Sequence, residues 1–423
     1  MAKIAIIGTG YVGLSSAVGF AHLGHDVVGI DIDESKVKKL TSGISPIFEK
    51  DVEIYLAQSL AKNKIIFSSD YSDMKDCDFV FMCLPTPQND DGSADINYIL
   101  DSAKTLTNQL KENATLVIKS TVPVNTWKKV TEILNRTDVS IISNPEFLRE
   151  GTALEDFFNP DRIVVGGLSE EKAHLVADLY KSKDAVIVFT DNTSAEIIKY
   201  ASNSFLAIKL SFVNEIAAYA ESTDANALEV LNAMGLDKRI GKDFLKPGPG
   251  WGGMCFPKDV SALKESAREK NVPIPLLDAA LESNLKAHAR IVSKVKKALG
   301  GSLKDKNISV WGLAFKANTD DIRFSPAISV IELLISEGAQ IKAFDPVVKQ
   351  VKELAIEVNS EINQSVENAD AIVVLTEWQE FKLVEPSLID KLVKQKIVVD
   401  ARNLLDKEKW INSGFIFIGN GYN

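Results

Sequence analysis

The chain has 423 residues, of which 45% are hydrophobic and 25% charged, and its net charge is -10. That length exceeds what one hydrophobic core organises, and the acidic balance argues against a general role on nucleic acid or on an anionic membrane. Three cysteines, at spacings that match no zinc pattern, argue against a disulfide framework and suit a reducing cytoplasm.

The first element is KIAIIG, an apolar run suited to a buried parallel strand. From Ile4 to His25 there is no Asp, Glu, Lys or Arg, a pattern shared with signal peptides and membrane spans. Its glycines point elsewhere. Gly8-Thr9-Gly10-Tyr11-Val12-Gly13 is G-x-G-x-x-G between a strand and a small-residue helix, followed by the strand DVVGIDID. Gly8 permits the turn, Gly10 lets the backbone approach a pyrophosphate, and Gly13 lets the helix pack on the strand. Asp31 ends the second strand, where it can bond both ribose hydroxyls and repel a 2′-phosphate, favouring NAD over NADP. Asp33 competes for that role.

KIIFSS, CDFVFMCLP, ATLVIKST, SIISNP and RIVVGG continue the strands, separated by helical stretches. This predicts a doubly wound sheet, with ligands outside the carboxyl ends of its strands. Those ends carry Pro85-Thr86-Pro87, Ser120-Thr121-Val122-Pro123 and Asn144-Pro145-Glu146-Phe147-Leu148-Arg149-Glu150-Gly151. Cys77 and Cys83 lie in an apolar run and read as packing.

Residues 193–221 lack Gly and Pro and predict one long helix, with Asp191 to Thr193 available as caps. Its apolar residues cover much of the circumference, which predicts burial between domains or subunits. Lys199 and Asn203 share one face by their i,i+4 spacing. FLKPGPGWGGMCFPKD then predicts an exposed, shaped loop, with Pro257 in the first turn of the next helix. Cys255 is expected just before that helix, where the N-terminus and Lys258 favour a thiolate. Asp259 lies one turn on and can reach back toward the thiol or a water.

A third region starts near Asp305. NISVWGLAFK, AQIKAFDP, AIVVLTEW and KIVVDARN read as strands of a second α/β domain without the glycine fingerprint, and SPAISVIELLISEG as an amphipathic helix on that sheet. Lys316, Arg323 and Arg402 fall near its strand ends. The expected architecture is α/β: two Rossmann-like doubly wound domains joined by a long central helix with an all-helical middle domain. The expected boundaries are 1–190, 191–298 and 299–423.

In chain order, GTGYVGL, the PTP turn, STVPV, NPEFLREG, KYASN, GGMCFPKD, AFKANTDDIR and DARN resemble the UDP-glucose/GDP-mannose dehydrogenases over essentially the whole length. The resemblance implies oxidation of a sugar-nucleotide C6 alcohol to a carboxylate with reduction of two NAD, with UDP-glucose as the leading substrate. It implies Cys255 as nucleophile, assisted by Asp259, with Lys199 and Asn203 stabilising charge on the C6 oxygen. Thr121 and Glu150 act at the junction of cofactor and substrate. Gly8, Gly10, Tyr11, Val12, Gly13, Asp31, Lys36, Thr86, Lys258 and Arg323 belong to the NAD side. The nucleotide sugar falls to Glu146, Phe147, Leu148, Arg149, Phe244, Leu245, Lys246, Pro247, Gly248, Gly252, Lys316 and Arg402. Arg239 is expected in a neighbouring subunit's site, since the long helix resembles the family's dimer core. A homodimer or higher homo-oligomer in the cytoplasm is implied.

Three positions depart from the family's commonest pattern: Met254 where Ser is usual, Phe324 where Glu is usual, and Lys36 for a frequent Arg. None removes a reacting group. Other readings compete: the same chemistry on GDP-mannose or a UDP-N-acetylhexosamine, a non-catalytic NAD or nucleotide-sugar sensor, and a 3-hydroxyacyl dehydrogenase. The last leaves the cysteine loop and the third domain unexplained. The general base stays open among Asp259, Glu150 through water, and Lys199.

Overall fold

A computed structural model describes residues 1–181 and 184–422. The chain divides into two compact units: Met1–Ser202 with Ser261–Val272, and Asn203–Val260 with Pro273–Asn423. Two helices, Asn192–Ser222 and Cys255–Glu269, begin in one unit and end in the other.

The first unit holds an eight-stranded sheet of β1 (Lys3–Ile7), β2 (Asp26–Ile30), β3 (Ile65–Ser68), β4 (Phe79–Met82), β5 (Thr115–Ile118), β6 (Ser140–Ser143), β7 (Arg162–Gly167) and β8 (Val186–Thr190). Their order is β3-β2-β1-β4-β5-β6-β7-β8. Every pairing is parallel except β6 with β7. Alternation along each strand supplies two cores. Ile4, Ile6, Phe79 and Phe81 pack on one face, whereas Ala5, Ile7, Val80 and Met82 pack on the other. The strand order reverses between β1 and β4, so the crevice at their carboxyl ends opens beside the glycine turn. β8 was not among the expected strands although VIVFT is an apolar run; at the sheet edge its residues are only half-buried or exposed.

The second unit holds a parallel six-stranded sheet of β9 (Asn307–Trp311), β10 (Gln340–Phe344), β11 (Glu357–Asn359), β12 (Ala371–Val374), β13 (Ile397–Asp400) and β14 (Ile416–Ile418), in the order β11-β10-β9-β12-β13-β14. The two unpredicted strands, β11 and β14, are three-residue edges, too short to show a period. Helix Pro326–Ser336 lays Ala327, Val330, Ile331 and Leu334 on this sheet, as its spacing predicts. Outside the sheet region the unit's helices include Ala227–Met234, Pro275–Ala298 and most of the long helix.

The long helix spans Asn192–Ser222, and Asp191 accepts from the Ser194 amide at 2.9 Å near its start. Its apolar surface is not all covered by the chain. Phe205, Phe212 and Tyr219, each seven residues apart, are 64%, 47% and 68% exposed. Among the described residues no helix is long and apolar enough to cross a membrane.

The glycine- and proline-rich loop differs from its expected exposure. Pro247, Gly248, Pro249, Trp251 and Gly253 are buried. Side chains of the flanking helices pin it. The Trp251 amide donates to Asn284 Oδ1 at 2.8 Å, Asn284 Nδ2 donates to the Trp251 carbonyl at 2.9 Å, and Trp251 Nε1 donates to Ser211 Oγ at 2.9 Å. A loop whose amides have such partners can be buried without leaving them unpaired.

Beneath the loop, a Cβ on Gly250 would fall 2.6 Å from His288 Nε2, so only glycine fits there. That nitrogen is buried without a hydrogen-bond partner among the described residues, and burial holds the imidazole down to about 4. In the unfolded chain it titrates near its ordinary value of 6.5. Between those pH values the unfolded chain binds a proton that the fold refuses, so stability is full above 6.5 and falls as pH drops. From pH 7.5 to pH 5 this group should remove about 2 kcal/mol. Urea unfolding of wild type and His288→Phe at both pH values checks it: the variant should lose that much less. Equal losses would contradict the assignment.

Candidate active site

In the first unit the glycine turn is built as the fingerprint requires. Gly8 adopts φ +88, and a Cβ there would lie 2.6 Å from the Cys83 carbonyl oxygen; one on Gly13 would lie 1.8 Å from the Gly8 carbonyl oxygen. Gly10 differs, since a Cβ there would meet nothing within 4 Å. Packing thus demands Gly8 and Gly13, while the open side of Gly10 at the start of helix Tyr11–His22 is room for a pyrophosphate. Val12 packs partly on the core, and the Tyr11 hydroxyl donates to the Phe48 carbonyl at 3.2 Å.

The two acids after β2 have separate tasks. Asp33 caps helix Glu34–Thr41, accepting from the Ser35 and Lys36 amides at 2.9 and 3.2 Å. Asp31 faces the glycine turn: its Oδ2 accepts from the Thr9 amide at 2.9 Å, the Thr9 hydroxyl at 2.8 Å and Lys36 Nζ at 2.7 Å. Burial opposes its ionisation, but Lys36 and Thr9 outweigh it and hold Asp31 below the usual carboxylate range. An ionised acid beside an open phosphate cradle fits NAD.

Three loops meet the remaining residues of this unit. Thr86 Oγ1 donates to the Thr121 carbonyl at 2.8 Å, tying two strand ends together. Thr121 lines a small pocket with Ser120, Ser143, Pro145, Glu196 and Lys199. Glu146, 6% exposed, accepts from Lys199 Nζ at 2.9 Å and from the Leu148 amide at 2.6 Å, and Lys199 is 4% exposed. Burial raises the Glu146 carboxyl, but Lys199 more than reverses this and keeps it ionised. The Phe147 ring carries the Arg162 guanidinium 3.8 Å from its centre, with Lys199 Nζ at 5.3 Å. Arg149 is stapled to Asp156, which also accepts the Arg149 amide at 2.8 Å. Glu150 is half-buried beside Gly151.

Glu196 escaped the sequence reading although it lies one turn before Lys199. It accepts the Asn125 and Trp127 amides at 2.6 and 3.0 Å, and burial pushes it up to about 8 against those donors. The i,i+3 spacing to Lys199 was the available signal.

In the second unit Cys255 is half-buried and is itself the first residue of helix Cys255–Glu269, one position inside the expected start. Asp259, one turn on and 1% exposed, is held at both oxygens: Oδ2 accepts from Asn203 Nδ2 at 2.6 Å and Oδ1 from Lys258 Nζ at 2.7 Å. Asn203 and Asp259 thus meet across 56 residues. The Lys258 charge, expected to favour the thiolate or reach the cofactor, is buried and met by Asp259.

The loop residues also find distant partners in this unit. The Gly248 amide donates to Asn214 Oδ1 at 2.9 Å, and a Cβ on Gly248 would lie 3.1 Å from Arg402 Nη1. A Cβ on Gly252 would lie 1.9 Å from the Phe324 carbonyl oxygen. Arg402 donates from Nε to the Leu375 carbonyl at 2.8 Å and from Nη2 to the Phe315 carbonyl at 3.1 Å. Gly248, Gly252, Arg402 and the Lys316–Phe324 segment are therefore neighbours. Lys316 is half-buried with its Nζ 5.5 Å from the Phe315 ring centre, and Arg323 pairs with Asp321 at 2.7 Å. Phe244, at φ +59, is 36% exposed and Lys246 is exposed, whereas Pro247 is buried and the Leu245 side chain packs in a core with Leu231. Arg239 is exposed and bonded to Asp237 of its own turn.

Family models match the chain in three successive blocks. They are described as the UDP-glucose/GDP-mannose dehydrogenase family NAD binding domain over residues 2–184, central domain over 193–286 and UDP binding domain over 309–407. The UDP-glucose 6-dehydrogenase TuaD of Bacillus subtilis (strain 168) is 40% identical, covering 99% of this chain and 92% of its own length. The structure of a UDP-glucose dehydrogenase from the archaeon Pyrobaculum islandicum aligns with a TM-score of 0.91 at 34% identity, covering 100% of this chain and 98% of that one. That of a UDP-D-ManNAc dehydrogenase from Pyrococcus horikoshii aligns with a TM-score of 0.89 at 30% identity, covering 99% of both.

Proposed function

The chain belongs to the UDP-glucose/GDP-mannose dehydrogenase family and is an NAD-dependent dehydrogenase, and from that premise we propose that it oxidises the C6 alcohol of UDP-glucose in two steps to UDP-glucuronate through a covalent bond to Cys255. The observation that carries this reading is a thiol opening a helix one turn before a buried carboxylate that Asn203 and Lys258 hold at both oxygens. The relatives' names supply the sugar.

The chemistry explains why a dehydrogenase keeps a nucleophile. NAD, when bound at the glycine turn, accepts a hydride at each oxidation stage. The first stage leaves an aldehyde, a poor hydride donor. The Cys255 thiolate adds to its carbon, and Lys199 and Asn203 stabilise the charge that develops on the C6 oxygen. Loss of the second hydride from this hemithioacetal leaves a thioester. Water then adds to the thioester carbonyl, the carbon–sulfur bond breaks, and the thiolate and the carboxylate product separate. Asp259 orients the thiol or the water, while Glu146 holds Lys199 in place as its buried counter-charge. A reducing cytoplasm is the compartment that keeps such a thiol free.

The Pyrococcus relative favours one second reading, the same chemistry on a UDP-N-acetylhexosamine. Side-by-side NADH production separates the two. UDP-glucose should exceed UDP-N-acetylmannosamine and GDP-mannose by roughly tenfold or more in kcat/KM. A reversed order would replace the substrate while leaving the chemistry, and no NADH from any of them would end the reading.

A second copy of the chain is the proposed cover for Phe205, Phe212 and Tyr219, since a seven-residue aromatic spacing is one stripe of a helix and suits an isologous contact. Phe212→Asp should elute at half the wild-type mass with light scattering. An unchanged mass, or a monomeric wild type, would remove this interface.

A further inference from the structure

Glu49 takes no part in the scheme above, yet its carboxylate is 8% exposed and fully engaged. It lies between helices Glu34–Thr41 and Val52–Ala61. Its Oε2 accepts from the Gly151 amide at 2.7 Å and its Oε1 from the Ala153 amide at 2.9 Å, across more than a hundred residues of chain. Both amides belong to the end of the NPEFLREG loop. Gly151 turns the chain at φ +83 directly after Glu150, and Ala153 opens helix Ala153–Phe158. The segment that carries Glu49 is anchored in turn, because the neighbouring Phe48 carbonyl accepts from the hydroxyl of Tyr11 in the glycine turn.

The loop is therefore held at three points. Lys199 holds Glu146 near its start, Asp156 holds Arg149, and Glu49 holds the turn just beyond Glu150. An ionised carboxylate can accept both amides, and the helix start favours its charge. A glutamine cannot, because its NH2 would face one of the two N–H donors.

We propose that Glu49 is a positioning residue: its carboxylate sets the turn after Glu150 and so aims that acid at the reacting groups. This rests on the dehydrogenase reading for what Glu150 does, but not for the clamp itself.

Glu49→Gln and Glu49→Asp in the full chain test it through two readouts. Amide hydrogen exchange, measured without substrate, should accelerate at Gly151 and Ala153 in Glu49→Gln. Turnover per titrated NAD site should fall roughly tenfold, as expected for a misaimed group, with the KM for NAD within about twofold. Glu49→Asp, which keeps both acceptors, should recover part of both. Unchanged exchange overturns the clamp, whatever the turnover. Faster exchange with wild-type turnover per site overturns the positioning role. Equal loss in both variants, spread evenly over kcat and both KM values, marks a merely structural residue and overturns it as well. A wild type silent on every nucleotide sugar defeats the dehydrogenase reading instead, and the exchange result still decides the clamp.

Discussion

Cys255→Ser should cut formation of the uronate by roughly three orders of magnitude or more while NAD binding persists. A serine hydroxyl is far less acidic than a thiol, and an oxygen ester bond is a poorer acyl leaving group than a thioester. The first oxidation needs no covalent bond, so aldehyde-level product should form where the acid does not. The result is clean because the other thiols cannot substitute. Cys77 and Cys83 are buried, and burial pushes their thiols up to about 11 and about 12. Alkylation of the native protein should therefore label Cys255 and spare the other two, and Cys255→Ser should stay unlabelled. Product analysis by mass spectrometry, with NAD affinity measured in parallel, checks the prediction. Near-normal uronate from the serine variant would eliminate the thioester route.

Glu146→Gln should destabilise the chain by about 3 kcal/mol or more and abolish most turnover. Glu146 and Lys199 are each more than nine-tenths buried at 2.9 Å. Removing the carboxylate charge takes from Lys199 its buried counter-charge, and a desolvated ammonium without one is costly. Glu146→Gln with Lys199→Met should regain most of the lost stability, since an apolar pair of similar volume needs no compensation. It should not regain turnover, because the charge proposed to steady the C6 oxygen is gone. Urea unfolding of the single and double variants forms the test. A single variant as stable as wild type would mean that the pair is dispensable to the fold. The wild-type pair should also resist acid. Lys199 holds Glu146 below the usual carboxylate range, so its contribution is complete at neutral pH, declines as pH drops below the ordinary carboxylate value and is spent once pH has fallen through the depressed one.

Much of this was legible in the chain itself. The G-x-G-x-x-G turn, the strand–helix alternation and the lone cysteine before Pro257 are local patterns, and each predicts local structure by steric or periodic rules. The three-residue edges β11 and β14 were not legible, because so short a run carries no period. Nor was the burial of the Pro247–Gly253 stretch. Gly and Pro reveal a turn, but whether a turn lies in solvent depends on who satisfies its amides, and Asn214 and Asn284 come from helices on either side of it in sequence.

Cys255, the proposed nucleophile, stands in the same light. Its type, its spacing to Asp259 and its place at a helix start follow from the amino-acid order alone, since one turn of helix spans four residues. Long-range partner choice does not follow from any such rule. Asn203 with Asp259, Glu146 with Lys199 and Glu49 with Gly151 each join residues dozens of positions apart, and each needs the chain folded before the two groups compete with water for one another. Asp31 was the favoured acid as sequence, with Asp33 its competitor. Packing separated them, because the acid nearer the strand meets Thr9 of the glycine turn while the other meets the free amides of the next helix.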